Sequence, residues 1–162
     1  MADSDTDYRL ERLTPERLPD LVALHAATYG PGLTLDDARR KFSTATLGHD
    51  VIGYLAYDRA GTAAAYYGIF PMRVRLGDRD LLAGQSGDTM THPDHRGRGV
   101  GQRLLLDDLA LWDAEGVPTY LESSNYANDH RYERVGFRSV GGFFAVRDST
   151  WISAMWRPAG GA

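Results

Sequence analysis

Apolar residues recur at helical spacing near the start of the chain and at strand spacing in its middle. The first helical run covers residues 18–24 and follows Thr14-Pro15, a pair typical of an N-cap with proline at the first helical position. Gly30-Pro31-Gly32 ends this helix. A second helix is predicted from Thr34, because two aspartates would stand in its first turn, where the helix dipole favours acidic side chains.

Runs rich in β-branched and aromatic residues predict a series of strands after position 50. Three strands joined by tight turns pair antiparallel, and Pro71 is expected at a bend or an edge position. The strand after the next helix must run parallel to its predecessor, because the helix carries the chain back across the sheet. In chain order the prediction is a strand from Tyr8, the two helices, strands over 51–57, 64–75 and 79–92, a helix from Gly99 to Glu115, a strand from Thr119, a short helix holding Tyr132, and strands over 136–140 and 151–156.

Length and composition predict one domain. A chain of 162 residues with 43% hydrophobic residues can bury a sizeable core. We expect residues 1–7 to form a disordered N-terminal tail, residues 8–157 to form a single domain and residues 158–162 to form a flexible C-terminal tail.

Charge, cysteine content and hydropathy narrow the class of partner. The formal net charge of −4 does not favour a nucleic-acid partner. Cysteine is absent, which excludes disulfides and a cysteine nucleophile and fits a reducing compartment. No stretch approaches the roughly 20 apolar residues of a membrane span, and the chain starts with acidic residues where a signal peptide would be basic. We therefore expect a cytoplasmic protein that binds neither nucleic acid nor membrane.

The stretch from Asp88 to Arg103 combines the end of a strand, three glycines and the start of a helix. The glycines are Gly97, Gly99 and Gly101. Backbone N–H groups at such a junction favour a phosphate, and the missing Cβ atoms let the phosphate approach closely. A P-loop would need Gly-Lys-Ser/Thr at its end, and a dinucleotide fingerprint would need a glycine where Leu104 stands. The loop therefore fits neither of these nucleotide-binding motifs.

What remains is the pattern Arg-x-x-Gly-x-Gly, which Arg96, Gly99 and Gly101 fill after a strand ending in Thr91-His92-Pro93. This pattern resembles the acetyl-coenzyme A (acetyl-CoA) binding motif of the GNAT superfamily of N-acetyltransferases. A second stretch, Asn128-Asp-His-Arg-Tyr-Glu-Arg-Val-Gly-Phe137, is similar to a helix that follows a strand in that superfamily. Two motifs in the right order are more specific than either motif alone.

The two halves of the chain resemble branches of the superfamily with different substrates. Leu121-Glu122-Ser123-Ser124 together with Trp151 looks like the antibiotic-modifying branch that includes puromycin-type acetyltransferases. Residues 67–71 and 85–91 look more like a branch associated with the acylation of sugars or polysaccharides. The identity of the acceptor amine therefore stays open.

The resemblance implies both a fold and a donor site. The fold would be α+β with three α/β/α layers: a mixed, mostly antiparallel sheet of roughly six to seven strands and about four helices. The sheet would splay between the strand ending at His92 and the strand from Thr119, and the arm of acetyl-CoA would lie in this gap. The residues that the resemblance assigns to acetyl-CoA are Met90 and Thr91, the loop residues Arg96, Gly97, Arg98, Gly99, Val100, Gly101 and Gln102, and Asn128, which also suits a helix N-cap.

Acetyl transfer to an amine through a tetrahedral intermediate needs a base for the ammonium, a donor to the oxyanion and an acid for the departing thiolate. The resemblance places Tyr132 near the thioester sulfur. A phenol with a pKa of about 10 is protonated at neutral pH and can donate a proton, although a tyrosine here also suits a core position. A backbone N–H at Met90 or Thr91 would serve the oxyanion.

The base has three candidates. Asp88 lies on the strand that would line the cleft, whereas Gln85 stands where relatives often carry Glu or His and cannot act as a base. Side chains alternate along a strand, so Gln85 and Asp88 face opposite ways unless a bulge intervenes. Glu122, at the end of the neighbouring strand, is the second candidate. A water chain without a single base is the third.

The predicted function is acetyl-CoA-dependent N-acetyl transfer to the primary amine of a small molecule. The alternatives are a catalytically weak module that binds or senses acetyl-CoA, and acetylation of a peptide or protein amine. No metal is expected, because His92, Asp94 and His95 stand in a solvated loop without the pattern of a metal site. The sequence leaves the oligomeric state open, with a homodimer as one option.

Overall fold

Seven strands and four α-helices make up the regular structure of the described part of the chain, which in this computed structural model comprises residues 7–49, 53–147 and 149–161. The helices are α1 (Leu18–Tyr29), α2 (Leu35–Lys41), α3 (Val100–Ala114) and α4 (Asp129–Glu133). The strands are β1 (Arg9–Arg12), β2 (Tyr54–Tyr57), β3 (Ala63–Leu76), β4 (Arg79–Thr91), β5 (Thr119–Ser123), β6 (Arg138–Phe144) and β7 (Trp151–Arg157).

The strands form one mixed sheet in the order β1-β2-β3-β4-β5-β7-β6. β4 and β5 run parallel, with Gly84 opposite Thr119 and Gln85 opposite Tyr120. The pairs β1–β2, β2–β3, β5–β7 and β6–β7 are antiparallel. This mostly antiparallel α+β sheet confirms the predicted fold class, and α3 connects the parallel pair as predicted.

The chain divides into two compact units. Unit 1 comprises Met1–Ile69 and Gly87–Asp108, and unit 2 comprises Phe70–Ser86 and Leu109–Ala162. β3, β4 and α3 each contribute residues to both units. The boundaries 8–157 for a single domain stay a prediction.

The helix starts in unit 1 follow local capping chemistry. Thr34 Oγ1 accepts a hydrogen bond from the Asp37 N–H (3.1 Å), and the Asp37 carboxylate accepts one from the Thr34 N–H (3.3 Å). This capping box confirms that α2 begins after Thr34. The predicted start of the first helix was early, because Pro15–Arg17 form a separate 3-10 turn and α1 begins at Leu18. Pro19 is tolerated in the first turn of α1, where no backbone acceptor awaits its missing N–H.

The core of unit 1 is built from α1, β2, β3 and the first half of α3. Leu18, Leu21 and Leu24 are almost fully buried, which is the face that the helical spacing predicted. Val51 and Ile52, predicted at the start of the second strand, lie outside the described residues. Other large side chains of this unit that are less than 2% exposed are Leu13, Phe42, Leu55, Tyr66, Ile69 and Leu104.

In unit 2 the strands β5 and β7 bury alternate side chains, so this part of the sheet has one covered and one open face. On β5, Leu121 is buried whereas Tyr120 is half-buried and Glu122 is exposed. β7 follows the same rule, since Met155, paired with Leu121, is buried and Trp156, paired with Tyr120, is half-buried. Trp112 of α3 and Phe137 are also buried in this unit.

A partly buried ion pair closes the C-terminal end of unit 2. Both terminal nitrogens of Arg157 donate to the Asp113 carboxylate at 2.6 Å, and Arg157 Nε donates to the Val135 carbonyl at 2.8 Å. This pairing lowers the pKa of Asp113. Asp113 also accepts the Gly160 N–H at 2.7 Å, so the segment predicted as a C-terminal tail includes an anchored 3-10 turn at Ala159–Gly161.

β6 runs beyond its predicted end at Val140, because the two glycines that follow allow the strand to continue. The register between β6 and β7 shifts between Ser139 and Gly141, and Gly141 has a φ of 139°. Such a positive φ suits glycine in a bulge. A Cβ atom on Gly142 would lie 2.4 Å from the Trp151 ring, so close pairing here requires glycine.

The described helices also bear on membrane association. None of them combines the length and the apolar composition that crossing a bilayer requires. The predicted cytoplasmic location stays a prediction.

Asp108 on α3, within unit 1, is a buried carboxyl group without a hydrogen-bond partner among the described residues. Its side chain is 0% exposed. Burial raises the pKa of Asp108 well above its usual 3.8, Asp107 raises it further, and Arg12 opposes the shift. The folded state therefore holds the proton more tightly than the unfolded chain does. The free energy of unfolding must fall as the pH rises above the usual pKa, until the folded pKa is passed.

We expect Asp108→Asn to raise the free energy of unfolding at pH 7 by about 1–3 kcal/mol, because the amide is neutral at every pH. The variant should also flatten the loss of stability between about pH 4 and pH 8. Urea unfolding at a series of pH values measures both effects. Asp78→Asn, in the exposed β3–β4 turn, is the control and should leave the slope unchanged. A slope in Asp108→Asn equal to that of the unmodified protein would contradict this account.

Candidate functional site

The predicted site residues fall into one group in each unit. Unit 1 contains Asp88, Met90, Thr91 and residues 96–102. Unit 2 contains Glu122, Asn128 and Tyr132. Each group is described by the contacts that it makes within its own unit.

The glycine loop between β4 and α3 presents open backbone. Gly97 and Gly99 have φ values of 75° and 76°, a left-handed conformation that strains any residue with a Cβ atom. A Cβ atom built on either glycine would meet no atom within 4 Å. The two glycines therefore serve the backbone conformation, and the space above the loop is open.

Five successive backbone N–H groups, in the glycine loop and at the first two positions of α3, point away from protein acceptors. Among the described residues, the N–H groups from Gly97 to Gly101 donate to no protein acceptor. The N–H of Gln102 differs, because it donates to the Gly99 carbonyl at 3.1 Å. Converging donors at the positive end of a helix dipole form a cradle for an anion.

Two side chains hold this loop in place. Arg96 Nε donates to the Thr91 carbonyl at 3.4 Å, so the Arg96 side chain folds back onto β4. The Tyr8 hydroxyl and His95 Nδ1 share a hydrogen bond of 2.8 Å, and His95 Nε2 lies 3.6 Å from an Asp58 carboxylate oxygen. Tyr8, Asp58, His95 and Arg98 also line a cavity of about 330 Å³ beside the loop. The loop is thus anchored to β4, to the start of β1 and to the β2–β3 turn.

The two histidines near the loop contact other protein groups in the part of the chain that the structure describes. His95 contacts Tyr8 and Asp58, and the His92 ring accepts the Asp94 N–H at 3.3 Å. Within those residues no group of three or more His, Cys, Asp or Glu side chains is arranged to hold a metal ion.

Asp88 lies within β4 and contacts helix α2. Its φ of 54° is a left-handed value that Asp and Asn adopt more readily than other non-glycine residues. Such a residue departs from the extended backbone of a regular strand. The Asp88 carboxylate forms an ion pair with Lys41 Nζ. The Tyr29 hydroxyl adds a second tie to β4, because it donates to the Thr89 carbonyl at 3.1 Å.

Tyr132, in unit 2, is half-buried on α4. Its ring packs edge-on against Phe137, with 6.2 Å between the ring centroids. Burial raises the pKa of Tyr132 above 10, Arg131 opposes the shift and Asp129 adds to it. The hydroxyl therefore carries its proton at neutral pH. Asn128 occupies the N-cap position of α4, but its side chain makes no capping hydrogen bond.

Glu122 lies on the open face of the unit 2 sheet. Its Oε1 atom accepts a hydrogen bond from the Tyr120 hydroxyl at 3.1 Å. Both residues line a cavity of about 440 Å³ together with Gln85 and Trp156. Sequence reasoning missed Tyr120 and Trp156. The alternation from Glu122 would have found Tyr120, whereas Trp156 joins the group only through the pairing of β7 with β5.

Comparison with known proteins places this fold among acetyltransferases. A sequence model of the family described as acetyltransferase (GNAT) domain matches residues 9–140. A phosphinothricin acetyltransferase from Sinorhizobium meliloti, solved in complex with AcCoA, is 19% identical with a TM-score of 0.72, over 96% of this chain and 90% of that one. The ribosomal-protein-S18-alanine N-acetyltransferase from Escherichia coli is 18% identical with a TM-score of 0.65, over 94% of each chain. Arabidopsis thaliana Naa50, in complex with the bisubstrate analogue CoA-Ac-MVNAL, is 14% identical with a TM-score of 0.67, over 94% of this chain and 99% of that one.

The matches to solved structures show a shared fold, and the match to the family model shows which family the chain belongs to. The resemblance to puromycin-type enzymes stays a prediction. Because the family match spans most of the chain and includes both the glycine loop and the second motif, this protein belongs to the GNAT family of acetyltransferase domains.

Proposed function

We propose that this protein is an acetyl-CoA-dependent N-acetyltransferase that acts on the primary amine of a small molecule. The observation that carries the proposal is the open backbone from Gly97 to Gly101, at the loop whose sequence resembles the acetyl-CoA motif. The description of the family as acetyltransferases and the AcCoA complex of the S. meliloti protein support it.

The loop residues fit the pyrophosphate of acetyl-CoA. Free N–H groups and the helix dipole favour negative charge, and Arg98 adds an exposed cation. Arg96 contributes by holding the loop on Thr91. The Gln102 N–H is already used within the helix, so the donor set is centred on Gly97–Gly101. Met90, Thr91 and Asn128 complete the assignment that the family resemblance gives for the rest of the coenzyme.

In the proposed reaction the amine loses a proton, its nitrogen bonds to the acetyl carbon, and the carbon–sulfur bond breaks. The departing thiolate takes a proton from an acid of the protein. Tyr132 suits this role, because its raised pKa keeps the hydroxyl protonated at neutral pH, so that a proton is present when the thiolate departs.

Glu122 is the better supported base of the two carboxylates. Asp88 already has a cationic partner in Lys41, and accepting a proton would dissolve that ion pair. Glu122 has a single hydrogen bond from Tyr120 and faces a cavity. A carboxylate with free lone pairs can receive an ammonium group directly or through one water molecule.

Two measurements test the function as a whole. Acetyl-CoA at about 100 times its Kd should add roughly 2.7 kcal/mol of apparent stability in a thermal-shift experiment. Thiol release with a panel of amines then tests turnover, and the protein contributes no thiol background because it has no cysteine. Binding without turnover of any amine would indicate a sensing module, and turnover of peptide N-termini alone would indicate a protein acetyltransferase.

Gly101→Val should weaken acetyl-CoA binding by about tenfold or more, because a branched side chain would cover the first turn of α3. Folding should be preserved, since a Cβ at this glycine contacts only Thr91 Oγ1, at 3.8 Å. Isothermal titration calorimetry gives the Kd. Ala110→Val, at an exposed position on the same helix, is the matched control and should bind normally. Unchanged affinity in folded Gly101→Val would refute the phosphate site.

Tyr132→Phe should lower kcat by about 10²-fold or more, because the variant has no proton to give to the thiolate. Its Kd for acetyl-CoA should stay within about twofold of the original value. Steady-state thiol release and calorimetry separate the two quantities. Tyr126→Phe, in the same unit and 76% exposed, should behave like the unmodified protein. A normal kcat in Tyr132→Phe would remove the residue from the mechanism.

Glu122→Gln should reduce kcat/KM more strongly than Asp88→Asn, by about tenfold or more. Asn tolerates the left-handed backbone at position 88, so Asp88→Asn is expected to fold. Thiol release at fixed, saturating acetyl-CoA compares the two variants. The opposite order would assign the base to Asp88, and two mild effects would favour a water chain.

A further inference from the structure

The cavity on the open face of unit 2 has an apolar wall. Met72, Val74 and Leu76 from β3, Val140 from β6 and Trp156 from β7 all line it. Its volume of about 440 Å³ lies within the range of small-molecule sites, which are mostly apolar with a few placed polar groups. The wall therefore suits a ligand with a compact hydrophobic body.

The polar groups of the cavity leave one negative charge unbalanced. Arg75 also lines the cavity, but its guanidinium is bonded to Asp80 at 2.8 and 3.1 Å and its side chain is 74% exposed. Glu122, by contrast, has no cationic partner among the described residues. Its hydrogen bond comes from the neutral Tyr120 hydroxyl, whose pKa is raised by burial and by Glu122 itself. The cavity thus offers an anion beside apolar and aromatic surface.

We propose that the acceptor is a primary amine attached to an apolar or aromatic body, of the arylalkylamine type. This inference rests on the proposed function and names its substrate class. The ammonium group would pair with Glu122, and the body would pack against Trp156 and Met72, where an aromatic ring also attracts a nearby cation. This arrangement places the ammonium group, which must lose a proton, beside the Glu122 carboxylate, which can accept it.

The same wall disfavours strongly hydroxylated acceptors. An amino sugar or an aminoglycoside carries many hydroxyl groups, each of which loses hydrogen bonds to water on entering the cavity. Gln85, Tyr120 and Glu122 supply few replacements. Selection against sugars would therefore arise from unpaired polar groups in the ligand rather than from a steric clash.

The first test compares acceptors. With saturating acetyl-CoA, 4-phenylbutylamine should show a kcat/KM at least about tenfold higher than glucosamine, kanamycin or a short peptide with a free N-terminus. An equal or higher kcat/KM for any of the three comparison amines would overturn the proposed substrate class, while leaving acetyl transfer itself established.

The second test places a positive charge at the cavity. Val140→Lys adds a cation at a lining residue that is 64% exposed, so folding should be preserved. The KM for 4-phenylbutylamine should rise about fivefold with kcat unchanged, and the effect should shrink at high salt. Val146→Lys is the matched control, because Val146 is exposed on the same hairpin but does not line the cavity. Equal KM values for the two variants would contradict the assignment.

Two binding measurements distinguish an error in the proposed acetyl-CoA-dependent function from an error in the proposed substrate class. Acetyl-CoA binding is measured by thermal shift on the same samples, and its absence would sink the proposed function. Binding of 4-phenylbutylamine is measured separately by tryptophan fluorescence, which needs no turnover. Binding that Val140→Lys weakens and Val146→Lys does not would sustain the amine site. No binding at millimolar amine would overturn it.

Discussion

The free backbone donors at the start of α3 are the constraint that shapes unit 1. A helix cannot satisfy its own first N–H groups, and here no side chain of the described chain does so either. Left-handed glycines at positions 97 and 99 keep the space above these donors clear. Arg96 and His95 fix the loop from below, so an anion would meet donors that are already placed. Little conformational entropy then opposes binding.

The contacts of Asp88 favour a structural role for its carboxylate. A carboxylate near a coenzyme loop is a natural candidate for a base, but its backbone conformation and its ion pair with Lys41 give it a structural task. Together with the bond from Tyr29 to Thr89, this pair holds α1 and α2 on the last residues of β4. Met90 and Thr91, which are proposed to contact acetyl-CoA, follow directly, so the same ties also hold these two residues in place.

Elements that depend on neighbouring residues could be predicted from the sequence, whereas elements that depend on contacts with distant residues could not. The start of α2 and the glycine loop could be predicted because capping residues and glycines act within a few positions of themselves. The end of β6 could not be predicted, because the strand continues through Gly142, where the Trp151 ring on the neighbouring strand leaves no room for a Cβ atom. The partner of Asp88 was equally invisible, since Lys41 belongs to a helix far away in sequence. At the site, alternation along β5 could predict Tyr120 beside Glu122, but the register with β7 was needed to add Trp156.

Because side chains alternate along β5 and β7, the residues that stabilise the fold and the residues proposed to contact the acceptor lie on opposite faces of these strands. On the covered face, Leu121 and Met155 pack in the core, and Arg157 is locked to Asp113. On the open face, Tyr120, Glu122 and Trp156 line the cavity and are only partly buried or exposed. Replacing a residue of the open face costs little of the buried apolar area that stabilises the fold. The wall of the proposed acceptor cavity can therefore differ between relatives of one fold. A shared fold at below 25% identity leaves the amine open, and the proposed substrate class rests on the charge and polarity of this wall.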